Sequence, residues 1–133
     1  MRSPKIAKYP DTPFNPSYKQ YLQTFFTDID KPDPEDWKGL FTPDATVIMG
    51  AKKLAGENEI FACNTTVLNE CQRVHRVNQV FPFGLNSDSA MVTGVLELVY
   101  PEGRDSTDFA AYCHMKDVDG AVKMDFCQVY FGC

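Results

Sequence analysis

The chain contains two histidines, His75 and His114, and an imidazole near neutrality can both take and give a proton. His114 lies in DFAAYCHMKDVDGAVKMDFCQVYF (108–131), where Asp119-Gly120 offers the two positive-φ residues of a tight hairpin turn. Closing strands on that turn sets Met115 opposite Met124, Cys113 opposite Phe126, Ala111 opposite Gln128 and Phe109 opposite Tyr130. That face is apolar apart from Gln128 and the Tyr130 hydroxyl, so it belongs to a core or to an apolar pocket with few polar handles. His114 and Asp125 share the other face with Lys116 and Lys123, which reads as an exposed or interface pair. His75 lies in a separate strand, Arg73–Phe83. Its alternation partners Val77, Gln79 and Phe81 would share its face, with Arg76 and Asn78 on the other. His75 is the candidate general acid/base, the alternative being a hydrogen-bonded histidine at a strand edge.

Other groups could position an oxygenated substrate. Tyr21, Tyr100 and Tyr130 can donate to a carbonyl or phenolate oxygen, though each also suits a core with its hydroxyl satisfied. Gln128 on an apolar face needs a partner, and a ligand is one possibility. Cys113 would need an adjacent base to act as a nucleophile, and Ala111 and Phe126 offer none, so it reads as a small buried hydrophobe. The five cysteines have no CxxC spacing, which disfavours a zinc site and fits reduced thiols in a cytoplasmic protein. No metal and no cofactor are expected.

The elements that must hold these groups follow from periodicity. Tyr18, Tyr21, Leu22, Phe25, Phe26 and Ile29 give helical spacing over Ser17–Asp30, with Ser17 as N-cap and Lys31-Pro32 as the stop. A second helix should start at Pro34 and run to about Phe41, with Trp37 packed between helices and sheet, and a third should cover Glu57–Gln72. Strands are expected at Ala45–Met49, Lys52–Ala55, Arg73–Phe83 and Ala90–Tyr100, before the final hairpin. This is an α+β order, three N-terminal helices packed into a curved, mostly antiparallel sheet that ends in a four-strand meander. The length fits one domain over 17–133, and the proline-spaced residues 1–16 read as an extended arm. Net charge is −5 with no Lys/Arg cluster, so nucleic acid is not an expected partner, and no apolar run suggests a membrane span.

DPEDWKGLFTPDATV (33–47), KKLAGENEIF (52–61), QRVHRVNQVFPFG (72–84) and the hairpin ending CQVYF carry a further signal. Over residues 17–131 the chain resembles the NTF2-like superfamily, in particular SnoaL-like cyclases and scytalone dehydratase, and looks like its small fungal members. The resemblance implies the NTF2-like cone, a pocket between sheet and helices, and a homodimer through the convex sheet face, with Tyr112, His114 and Asp125 near that interface. It places His75 at a catalytic histidine of the dehydratase and Asp30 near its catalytic aspartate, with Asp28 as the alternative. It also exposes losses. Met49 stands at the base aspartate of ketosteroid isomerase, Cys113 lies near that enzyme's oxyanion-hole aspartate, and Ala111 replaces a pocket asparagine of the dehydratase. The dehydratase's second histidine falls near Tyr100 or Glu102 and is absent.

The resulting expectation is a cofactor-independent isomerase, cyclase or dehydratase of secondary metabolism, acting on a polyketide- or terpenoid-like molecule. His75 would shuttle the proton and Asp30 would orient it. Tyr21, Tyr100, Gln79, Gln128 and Tyr130 would supply polar contacts, and Met49, Phe81, Leu98, Phe109, Cys113 and Phe126 the walls. The alternative is a binding or interaction module that kept the fold and lost the chemistry.

Overall fold

A computed structural model describes residues 14–84 and 86–132. Most of the expected arm, and Cys133, lie outside the described residues. Helix α1 spans Pro16–Asp28. Its N-cap is Asn15 rather than Ser17, because the Asn15 side chain accepts the Ser17 N–H and Pro16 occupies the first turn, where no donor is needed. Tyr18, Leu22, Phe25 and Phe26 form its buried stripe, continued by Ile29 just past its end.

The expected second helix is only a 3-10 turn, Pro34–Trp37. Lys38 is already extended and Gly39 takes φ 82°, a conformation glycine adopts without penalty, so the chain turns into the sheet instead of continuing. The described residues therefore hold two α-helices, the second being α2 at Glu57–Glu70. Trp37 is buried, and its indole N–H donates to the Lys31 carbonyl at 2.8 Å.

Six strands form one sheet: β1 (Phe41–Met49), β2 (Lys52–Ala55), β3 (Gln72–Pro82), β4 (Ser89–Tyr100), β5 (Gly103–Val118) and β6 (Ala121–Phe131). Their order is β2-β1-β6-β5-β4-β3, antiparallel throughout except where β1 runs parallel to β6. Strand β1 starts at Phe41, four residues before the expected Ala45, and its register against β6 slips between Phe41 and Thr46. Pro43 lies in that stretch and has no N–H for a ladder. Helix α1 contacts β3 and β6, and α2 contacts β1, β2 and β3, so both bury the same sheet face. Ala45, Val47, Leu54, Val80, Val92, Phe109, Ala111, Cys113, Met115 and Met124 fill that face.

Two β-bulges decide which side chains reach the inner face. In β6 the register runs Met115↔Met124 and then His114↔Phe126, leaving Asp125 as an extra residue. In β3 it runs Val77↔Gly94 and then Gln79↔Thr93, leaving Asn78 extra. A side-chain period of two means that one inserted residue sends every later side chain to the opposite face. Beyond Asp125 the inner positions are therefore Cys127 and Val129. Beyond Asn78 they begin with Val80, which is buried.

Candidate functional site

Arg73, His75 and Val77 precede the β3 bulge and share the inner face with Leu96 and Leu98 of β4. The loop after α1 brings Asp30 onto this corner and is held there at several points. The Ile29 carbonyl accepts from Asn64 Nδ2 at 3.0 Å and from Arg73 Nη2 at 2.8 Å, and Trp37 holds Lys31. Asp30 Oδ2 accepts the His75 backbone N–H at 2.7 Å. Oδ1 lies 2.9 Å from His75 Nδ1 and accepts from Arg73 Nε at 2.6 Å. Asp28 instead pairs with Lys31 near the surface, so Asp30 is the carboxylate that meets His75.

The imidazole is fixed on its faces as well. The His75 ring lies edge-on to Phe109 at 5.3 Å and tilted against Phe26 at the same separation. Its Nδ1 is committed to Asp30. Its Nε2 has no partner among the described residues and is not among their sealed, unpaired polar atoms. A carboxylate on one ring nitrogen leaves the other free to exchange a proton.

His75 borders a cavity of about 120 Å³ between the sheet and the two helices. Phe25, Phe26, Ile29, Phe41, Val47, Met49, Leu54, Ile60, Val67 and Val129 make it apolar, and Cys63, Cys127, Asn64 and Arg73 complete its wall. A second groove runs outward between α2 and β2 past Lys52, Glu59 and Thr66, sharing Leu54, Cys63 and Val67 with the cavity.

The expected site residues divide four ways. His75 and Met49 line the cavity, Asp30 holds His75, and Phe109 packs against the imidazole. Leu98, Cys113 and Tyr21 face inward without lining the cavity. The Tyr21 hydroxyl donates to the Leu40 carbonyl at 2.6 Å, and burial pushes its pKa well above the usual phenol range. The thiol hydrogen bond with Cys127, and then burial, likewise push the Cys113 thiol up. Tyr100 sits at the far end of β4 beside Cys71 and Asp105. Five placements are corrected. Gln79 and Phe81 lie beyond the β3 bulge, and Phe126, Gln128 and Tyr130 beyond the β6 bulge, so all five point to the outer face. Tyr130 is 51% exposed, and the Phe126 ring meets outward-facing Tyr112 at 5.9 Å.

Arg73, Asn64 and Cys127 were not anticipated. Arg73 had a legible signal, since it stands two residues before His75 and so shares its face. Asn64 and Cys127 had none, one lying on a helix and the other beyond an unforeseen bulge.

No protein-family model and no curated protein matches the chain by sequence. Solved structures do match by shape. An NTF2-like protein of unknown function from Burkholderia pseudomallei superposes with a TM-score of 0.71 at 12% identity, covering 87% of this chain and 91% of that one. A candidate SnoaL-like polyketide cyclase from Jannaschia gives 0.70 at 12% identity, covering 92% and 90%. A protein from Catenulispora acidiphila with a ketosteroid isomerase-like fold, solved with trimethylamine, gives 0.70 at 13% identity, covering 85% of each. This chain has the NTF2-like fold. In NTF2-like terms the cavity lies between helices and inner sheet face, where the resemblance placed a pocket. Among the described residues no helix is long and apolar enough to cross a membrane, and no cluster of His, Cys, Asp or Glu is placed to hold a metal ion.

Proposed function

We propose that this NTF2-like chain is a cofactor-independent enzyme moving a proton on a small, apolar, oxygenated molecule, as an isomerase, cyclase or dehydratase. One observation carries the reading. His75 presents a free Nε2 beside an apolar cavity while Asp30 holds Nδ1. Asp30 orients the ring and stabilises the imidazolium that forms when Nε2 takes a proton. Arg73 shares Oδ1 with the imidazole and balances the Asp30 charge while His75 is neutral. The cavity volume supports a ligand of about one ring or a short chain, such as a polyketide- or terpenoid-like fragment.

The test is solvent deuterium exchange at carbons next to the carbonyl in a panel of small cyclic ketones, followed by NMR. The expected result is exchange that falls about 10²–10⁴-fold in His75→Ala, the ordinary worth of a general acid/base. A panel that exchanges equally fast with both proteins removes the acid/base role. Saturable binding without exchange would favour the alternative, a carrier that kept the cavity without the chemistry.

The outer sheet face supports a second proposal, a homodimer. Phe81, Phe83 and Tyr130 are exposed there, and Phe83, Tyr112 and Phe126 make successive ring contacts. The partly exposed pair His114–Asp125 flanks them. Several exposed aromatics on one sheet face are the sort of surface a partner covers. Light scattering should give about twice the monomer mass, and a strictly monomeric protein overturns this. The proposed compartment is the cytoplasm and the proposed unit a single domain over 17–133.

A further inference from the structure

The Arg73 guanidinium is only partly spent. Nε donates to Asp30 Oδ1, and Nη2 donates to the Ile29 carbonyl at 2.8 Å and to Asn64 Oδ1 at 2.5 Å. Those bonds use every N–H on Nε and Nη2 and leave the two on Nη1. Nη1 has no partner among the described residues, yet it is not among their sealed, unpaired polar atoms, so it reaches accessible space. The side chain is only 12% exposed and borders the apolar cavity. The planar fork turns the Nη1 hydrogens away from the Nε edge that faces Asp30.

A nearly buried guanidinium anchored on one edge, with a free N–H pair, is built to receive oxygen. We propose that Arg73 is the cavity's oxyanion-binding residue and that the ligand is a small planar molecule bearing a carboxylate or an enolisable carbonyl. Asp30 already neutralises the guanidinium charge, so the anion is held mainly by directed, charge-assisted hydrogen bonds. A low-dielectric wall strengthens such bonds relative to water.

The catalytic half of this proposal rests on the acid/base reading above; the binding half does not. His75 Nε2 removes a proton from the carbon beside the carbonyl, the C–H electron pair becomes the new C=C bond, and the carbonyl π pair moves onto the oxygen. The Arg73 Nη1 pair holds that enolate oxygen. The imidazolium then returns the proton to the same carbon or, in a conjugated substrate, to the distal one. Atoms and electrons balance with no co-reactant.

The experiment compares benzoate with benzamide, two ligands of one shape and different charge, by NMR titration of the whole protein. Benzoate should bind at least about tenfold more tightly, shifting Arg73, Asn64 and His75 resonances. Arg73→Gln should erase that preference. Arg73→Lys, which keeps the charge but loses the fork, should restore only part of it. Equal affinities, a preference for benzamide, a benzoate preference that survives in folded Arg73→Gln, or no binding of either ligand overturns the proposal. Should Arg73→Gln lose its dispersed spectrum, the wild-type comparison and Arg73→Lys decide. His75→Ala separates the two readings. A benzoate preference retained there supports the Arg73 site, whether or not ketone exchange depends on His75.

Discussion

Asp30 grips His75 at two points, accepting the backbone N–H through Oδ2 at 2.7 Å and meeting imidazole Nδ1 through Oδ1 at 2.9 Å. One carboxylate thus fixes both where the strand lies and how the ring is turned. Arg73 shares that carboxylate, and both acidic and basic side chains are nearly buried. Asp30→Asn should therefore have two separable effects. Exchange on a ketone substrate should fall by at least about tenfold, since the ring loses its anionic partner. Stability should fall by about 3 kcal/mol in urea unfolding, because the Arg73 charge is left without its counter-ion. A variant as stable and as active as the parent would show that the contact does neither job.

Burial of protonatable groups sets an alkaline limit. Cys113 is raised above its ordinary value of 9.0 by the thiol of Cys127 and by burial. Tyr21 is raised above 10.0, chiefly by burial. In each case the unfolded chain releases the proton at lower pH than the folded one. The stabilisation is whole below pH 9.0 and is lost as pH climbs past it, Cys113 acting first and Tyr21 from 10.0. Urea midpoints measured from pH 8 to 10.5 should decline, and Cys113→Ala should flatten the decline that begins near 9.

Gly94 pairs with Val77 just before the β3 bulge and lets the β3 backbone and the Phe109 ring approach closely. A Cβ there would lie 2.2 Å from the Arg76 carbonyl oxygen and 2.9 Å from the Phe109 ring. The first obstacle is backbone, so β3 must shift, and Phe109 is the ring that packs on His75. Gly94→Ala should cost about 1–3 kcal/mol in thermal or urea unfolding and disturb the His75 ring resonances. An unchanged His75 spectrum would show that the aromatic support is dispensable.

The residues show where the sequence was readable. The helical stripe from Tyr18 to Ile29 and the Asp119-Gly120 turn are local signals, and both elements form where they are read. His75 precedes the bulge on β3, and Met49 follows the β1 slip but stands two residues beyond buried Val47, so alternation puts both on the inner face. Alternation failed after Asn78 and after Asp125, because a bulge is set by the neighbouring strand. Beside Asp125, β1 carries Pro43 and loses register, and Asp125 turns to His114. Beside Asn78 the neighbouring strand β4 carries Gly94, and a glycine inside a strand pattern marks a bulge or a close backbone approach. The 3-10 turn was misread because a proline and two acids open any helix, whereas its length was set by Gly39.

The β6 bulge makes neighbouring residues answer to different tests. Cys127 borders the cavity, while Gln128 and Tyr130 belong to the outer face. Cys127→Phe should fill much of a cavity of about 120 Å³ and abolish ligand-induced shifts at His75. It should leave the association state untouched, because its ring is added on the helix side of the sheet. Tyr130→Glu should do the reverse. A charge on the aromatic outer patch should weaken self-association at least about tenfold, as an unpaired charge buried in an interface must be desolvated. The cavity resonances should be those of the parent. The two variants compared by light scattering and by benzoate titration read out the strand register directly. If Tyr130→Glu closes the cavity and Cys127→Phe breaks the dimer, the strand runs in strict alternation and the extra residue at Asp125 is not there.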